Sequence, residues 1–160
     1  MGVRLMLPLV LLLVACGGAA SGGPAATLPP EARNAPDRVA AEGHTYILRS
    51  DLYSDLMPGP APTPRRGVGG TIFLRAAVAS DAPQGLRAEK IWLIKGAESW
   101  ETVPQPVQTF AADRVNHLSL GITDGPTWDA GAKVDVVLQF SVAGRAYLIQ
   151  QRGVQVMGAF

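Results

Sequence analysis

The side chains of this sequence that could do chemistry are few and widely spaced. Cys16 is its only cysteine, and His44 and His117 are its only histidines. With Met57 and Met157, the histidines offer the imidazole and thioether groups that bind soft metals such as copper. Metal sites usually place their ligands in short motifs, and no Cys-x-x-Cys, His-x-His or His-Glu-x-x-His occurs here. We therefore assign no metal site and keep copper handling as an alternative hypothesis.

Nucleophilic catalysis has one weak candidate. Ser119 follows His117 by two residues, which places both side chains on one face of a strand. A triad also needs a carboxylate that orients the histidine, and the sequence indicates none. The glycine-rich stretch 67–70 precedes a strand pattern, whereas a phosphate-binding loop precedes a helix. We predict no catalytic residue, no cofactor and no enzymatic activity.

Cys16 is the reactive residue whose surroundings are informative. Residues 1–4 carry one positive charge, on Arg4, and residues 5–14 contain no charged or polar side chain. This layout is typical of a secretory signal, and the apolar run is too short to span a bilayer, which takes about 20 residues. A lone cysteine in an exported chain forms no internal disulfide, so the residue calls for another role.

The residues Leu13-Val14-Ala15-Cys16 resemble the lipobox of bacterial lipoproteins. The resemblance implies signal cleavage between Ala15 and Cys16, a diacylglycerol thioether on Cys16 and further acylation of the freed amine. Two or three acyl chains are enough for stable membrane anchoring. Gly17, in the place of an aspartate, favours the outer membrane over the cytoplasmic membrane by the same resemblance. The expected location is thus the bacterial cell envelope, with the membrane bound through lipid on Cys16.

Charge excludes one class of partner. The chain has 14 Lys+Arg and 13 Asp+Glu, and loss of residues 1–15 would remove only Arg4 and leave the two signs balanced. The longest run of like charge is the pair Arg65-Arg66. Nucleic-acid binding needs a clustered basic surface, so we expect no nucleic-acid partner. An envelope protein or a glycan is the expected partner besides the membrane.

Three regions follow from these patterns. Residues 1–15 are the predicted signal peptide, and residues 16–43 are predicted to be a lipidated flexible tether. Within the tether only Leu28 and Val39 are large apolar residues, so it has little to bury. Residues 44–160 form the predicted domain. A coil as long as residues 17–43 reaches about 30 Å, which would hold that domain clear of the lipid headgroups.

The domain has the period-two alternation of β-strands. Apolar residues alternate with mostly polar ones over 134–142, and similar patterns cover 71–78 and 117–122. Ala143-Gly144 separates the first of these from the run 145–150, as in a tight hairpin. About seven strands and no convincing helix predict an all-β fold, an antiparallel sandwich of two sheets.

The strand order resembles an immunoglobulin-like or fibronectin-type-III-like domain. Trp92 in the third strand and residues 128–136, at the turn into the sixth strand, carry this resemblance. The disulfide pair of antibody domains is absent. The resemblance implies a scaffold that binds through loops or an exposed sheet edge.

The leading hypothesis for function is a non-catalytic binding or structural module anchored to the envelope. Trp100, which has charged and polar neighbours, is a candidate partner contact, since tryptophan is favoured in interface hot spots; covering the rim of the sheet is its alternative role. Besides copper handling by His44, Met57, His117 and Met157, a third hypothesis is a small outer-membrane β-barrel ending at Phe160.

Overall fold

The computed structural model describes residues 28–56, 67–78, 85–107 and 117–159. The predicted signal peptide, with Ala15 and Cys16, and Met57 lie outside the described residues. Within the described ranges, no helix has the length and apolarity needed to cross a lipid bilayer.

Strands make up almost all of the regular structure, which confirms the all-β prediction. In the described part of the chain, one short helix precedes nine strands. In chain order they are α1 (Pro30–Arg33), β1 (Arg38–Ala41), β2 (His44–Asp55), β3 (Gly69–Ala76), β4 (Arg87–Lys95), β5 (Glu98–Thr102), β6 (Gln105–Pro106), β7 (His117–Ile122), β8 (Lys133–Val142) and β9 (Arg145–Ala159).

The strands form one connected sheet in the order β5-β4-β8-β9-β2-β3-β7-β6, with β1 paired to β2. We call β5, β4, β8 and β9 the β8 half, and β1, β2, β3, β7 and β6 the β2 half. The two halves join where Leu52–Asp55 of β2 run parallel to Val156–Ala159 of β9. The sheet is therefore mixed, and the prediction of a purely antiparallel arrangement is wrong at this junction. Period-two alternation fixes which face is buried, not the direction of the neighbouring strand.

A bulge at Gly153 allows β9 to serve both halves. The β8–β9 register shifts between Val134 and Val136, and Gly153 lies opposite this shift with a φ of +64°. Its N–H donates a hydrogen bond of 2.8 Å to the Asp135 carboxylate. Bulges bend a strand and increase its twist, so the end of β9 turns toward β2. A glycine inside a strand often marks such a bulge.

The sheet curls so that both halves face a single apolar core. The alternating residues of β8 point into it, as do those of β2, β3 and β7. Its fully buried large side chains include Leu52, Ile72, Leu74, Ile91, Leu93, Leu120, Leu138, Phe140 and Ile149.

The segment predicted as a tether is part of the fold from residue 28 onward. We call residues 28–37 the strap: it holds α1 and lies on the outer face of the β8 half, and β1 follows it. Ala32 and Ala35 pack in a second apolar cluster with Trp92. The flexible tether was predicted from its lack of large apolar residues. Alanines bury fully against a flat aromatic and aliphatic surface at almost no side-chain entropy cost.

Candidate anion-binding cleft

A cleft opens where β2 and β9 stop pairing. Their ladder begins at Leu52 and Val156, and before this point the strap and the start of β1 lie beside the two strands. The Gln150 N–H donates a hydrogen bond of 2.9 Å to the Pro36 carbonyl. The cavity measures about 580 Å³ and is lined by residues 34–38, 47–49 and 150–152. That volume falls in the range of small-ligand sites, roughly 300–1,000 Å³.

Three arginines from three strands line this cavity, which we call the arginine cleft. Arg38 comes from β1, Arg49 from β2 and Arg152 from β9, and all three side chains are exposed. Asp37 is the single carboxylate of the lining. Within the described residues, none of the three arginines makes an ion pair or a side-chain hydrogen bond. Their donors are therefore available to an anion.

Local strand geometry explains why these side chains converge. Arg49 has the outward parity of β2, between the buried residues Leu48 and Ser50. Arg38 pairs with Ile47 in the β1–β2 ladder, which sets it beside the same stretch of β2. Arg152 precedes the bulge at Gly153, where β9 leaves its register with β8.

Two glutamines form the inner wall of the cleft. Gln150 is almost fully buried, and its amide Nε2 donates a hydrogen bond to the Ala35 carbonyl, which ties the strap to β9. Gln151 is half-buried, and its Oε1 is buried without a hydrogen-bond partner in the described part of the chain. Gln151 pairs with Val136 of the main core, so its side chain lies on the inner face of the sheet, whereas Arg38 and Arg49 lie on the outer face.

The chemistry of the cleft is that of binding. A guanidinium presents a planar fork of N–H donors that matches carboxylate and phosphate oxygens, and it stays protonated in proteins. Such a group does not serve as a general acid or base at neutral pH. The cleft is lined by no serine, cysteine or histidine. It can therefore hold and orient an oxyanion.

Of the proposed copper ligands, the three in the described part of the chain lie on three different strands: His44 on β2, His117 on β7 and Met157 on β9. Met157 pairs with Tyr53 near the end of β2, whereas His44 is the first residue of that strand. At about 3.4 Å per residue, the nine residue steps from His44 to Tyr53 span about 30 Å. Among residues 28–56, 67–78, 85–107 and 117–159, no three His, Cys, Asp or Glu side chains are grouped as a metal site would require.

His117 and Ser119 share the outer face of β7, as their spacing predicts. His117 pairs with Arg75 and its ring contacts the edge of Phe73, with a centroid distance of 5.5 Å. The Ser119 hydroxyl is buried and makes no hydrogen bond to a described residue. The two side chains therefore do not form the hydrogen-bonded pair that activates a serine nucleophile.

Trp100 lies in the edge strand β5, opposite Leu93. Its side chain is half-buried and packs against the main core. This placement fits the alternative of a tryptophan that covers the rim of the sheet. Its role as a partner contact stays a prediction.

Sequence reasoning missed the arginine cleft. Arg38, Arg49 and Arg152 are far apart in the chain, and each has the outward position expected of a solvated arginine. Two features were visible in the sequence: the outward position of Arg49 in the alternation of β2, and the glycine that follows Arg152. The contact between β2 and β9 that unites them comes from tertiary structure. Comparison of the chain with protein-family models, with curated proteins and with solved structures finds no match.

Proposed function

We propose that this chain is a lipid-anchored protein of the bacterial envelope that acts as a non-catalytic binding module. The Leu13-Val14-Ala15-Cys16 motif supports the anchor, with the outer membrane as the favoured location. The arginine cleft is the proposed binding surface, and its ligand carries a negatively charged group. An anionic glycan or an acidic envelope protein fits this description.

The observation that carries the proposal is the convergence of Arg38, Arg49 and Arg152 on one cavity without acidic partners beyond Asp37. Three exposed cations along one cavity give it a positive local potential, which favours the binding of an anion.

We also propose that the domain is an immunoglobulin-like variant. Such domains pair strands A, B, E and D in one sheet and C, F and G, with C′ as an added strand, in the other. With β2 to β9 taken as A, B, C, C′, D, E, F and G, the order β2-β3-β7-β6 is A-B-E-D. The order β9-β8-β4-β5 is then G-F-C-C′. Both agree with the proposal, and the parallel contact between β2 and β9 links the two halves.

The anchor is tested by mass analysis of the native chain purified from its envelope. We expect Cys16 at the amino end with diacylglycerol and acyl mass added. A Cys16→Ser variant should keep its signal peptide and lack the added mass. Native protein that retains Met1 and an unmodified thiol would refute the anchor.

The binding surface is tested by photocrosslinking in cells. A photoreactive residue at Asp37, in the cleft, should capture a ligand, and the same residue at exposed Arg145, at the far end of β9, should not. Capture at position 37 should fall when Arg49→Gln is added. Equal capture at both positions, or capture at position 37 that is unchanged by Arg49→Gln, would refute the cleft as the binding surface.

A further inference from the structure

The length of chain between the proposed anchor and the cleft restricts what the cleft can meet. The strap begins at Leu28, twelve residues after Cys16, so the linker is less than half as long as the predicted tether. Twelve residues extend to at most about 40 Å. The strap itself lines the cleft through residues 34–37, so the cleft lies where the chain arrives from the membrane.

At that distance the commonest oxyanions are the phosphates of lipid headgroups. The bacterial bilayer surface therefore offers Arg38, Arg49 and Arg152 a high local concentration of phosphoesters. Guanidinium forks match the geometry of phosphate oxygens and form charge-assisted hydrogen bonds with them.

We infer that the arginine cleft binds a phosphoester anion, supplied by the headgroup of an anionic lipid in the membrane that holds the chain. This inference rests on the proposed function, because the lipid on Cys16 brings the cleft to the headgroups. Binding then fixes how the domain faces the bilayer. A second contact of this kind adds to the lipid anchor without any protein partner.

The test is a titration of the native chain, purified from its envelope in a nonionic detergent. The probes are dihexanoyl phosphatidylglycerol, dihexanoyl phosphatidylcholine and inorganic phosphate. The readout is the NMR signal of the arginine Nε–H groups, which reports on the three side chains directly. We expect the phosphatidylglycerol to shift these signals at concentrations at least tenfold below those at which the phosphatidylcholine does.

Variants assign the binding to the cleft. Arg49→Gln and Arg152→Gln should each weaken phosphatidylglycerol binding at least tenfold, since each variant removes charge-assisted hydrogen bonds. Arg145→Gln, at an exposed arginine that begins β9, is the matched control and should change nothing.

The outcomes separate the sources of the anion. Binding of inorganic phosphate as tight as that of phosphatidylglycerol would assign the cleft to a free phosphate and overturn the lipid source. No shift with any probe, or equal loss in Arg145→Gln, would overturn the site. The titration measures binding at the cleft whether or not Cys16 carries lipid. A negative result would therefore overturn the headgroup site without testing the proposed anchor.

Discussion

The indole Nε1 of Trp128 donates a hydrogen bond of 2.7 Å to the carboxylate of Glu98. Lys95 forms an ion pair with the same carboxylate, and its ammonium lies 5.3 Å from the centroid of a Trp128 ring. Each group of this triad therefore contacts the other two. The indole of a largely buried tryptophan is satisfied by a charged acceptor, which makes stronger hydrogen bonds than a neutral one.

A second triad repeats this arrangement on the outer face of the β8 half. Trp92 Nε1 donates to Glu101 at 3.0 Å, Lys90 pairs with Glu101, and the Lys90 ammonium lies 5.5 Å from the Trp92 ring centroid. Glu98 and Glu101 are exposed at the surface, and each also connects the edge strand β5 to a tryptophan that is mostly buried.

Glu98→Gln should lower the free energy of unfolding by about 1–2 kcal/mol, because the charge-assisted hydrogen bond to Trp128 becomes neutral and Lys95 loses its partner. Urea denaturation measures the change. A double-mutant cycle with Trp128→Phe isolates the coupling, which we expect at about 1 kcal/mol. Glu31→Gln, an exposed carboxylate in α1, is the control. Additive effects of Glu98→Gln and Trp128→Phe would show that the triad contributes no coupling.

Tyr46 should lower the stability of the folded protein at alkaline pH. Burial raises the pKa of its hydroxyl, and the nearby charges of Glu42 and Tyr147 raise it further. The folded state therefore keeps this proton at pH values where the unfolded chain has lost it, and stability falls as pH rises above about 10. Tyr46→Phe should remove this part of the alkaline loss. The unfolding midpoint in urea, measured from pH 8 to 11, tests the slope.

The same substitution should leave the protein at neutral pH equally stable or about 1 kcal/mol more stable, because the Tyr46 hydroxyl is buried without a partner among the described residues. Its ring, 5.4 Å from that of Phe140, is kept in Tyr46→Phe. Tyr53→Phe, at an exposed tyrosine, is the control and should follow the wild-type slope. A loss of more than 1 kcal/mol in Tyr46→Phe at pH 7 would mean that the hydroxyl has a partner.

The strands were predictable because their pattern is local. Alternation over 134–142 gave the position of β8 and the face that it buries, and Ala143-Gly144 gave the hairpin to β9. The parallel contact of β9 with β2 was not predictable in this way. It depends on how far the bulge at Gly153 turns the end of β9, and strand direction leaves no trace in a period-two pattern.

The strap and the arginine cleft were not predicted from the sequence, for a related reason. Small residues such as Ala32 and Ala35 are compatible with a flexible linker and with a tightly packed segment, and only the surface they meet decides. Arg49 and Arg152 are likewise ordinary outward arginines until two distant strands bring them together. Residue type alone predicts neither a contact nor a binding site when the residues that form it are far apart in sequence.

Ala143→Asn should stabilise the protein by about 0.5–1 kcal/mol. Ala143 has a φ of +50° in the β8–β9 turn, a left-handed conformation that disfavours alanine and that asparagine adopts more readily. Thermal unfolding at pH 7 measures the gain. Gly144→Ala is the opposing variant, since a φ of +76° at that position needs glycine, and it should be destabilising. Equal Tm values for Ala143→Asn and the wild type would contradict the strain at this turn.

Ala32→Asp should release the strap from the β8 half and leave the main core folded. The side chain of Ala32 is fully buried beside Trp92 and Val137, so a carboxylate there would lose its water without gaining a partner. The Gln150 amide, which donates to the Pro36 carbonyl, should lose protection from hydrogen exchange by on the order of a hundredfold. Protection of core amides such as Ile149 should change little.

Release of the strap should also dismantle the arginine cleft, because residues 34–38 form one of its walls and Arg38 adjoins the strap. In Ala32→Asp, binding of dihexanoyl phosphatidylglycerol should weaken at least tenfold. Glu31→Ala, at the exposed neighbouring position, is the matched control and should bind like the wild type. If Gln150 exchanges freely while binding is kept, the cleft needs only Arg49 and Arg152, and the strap serves the fold alone.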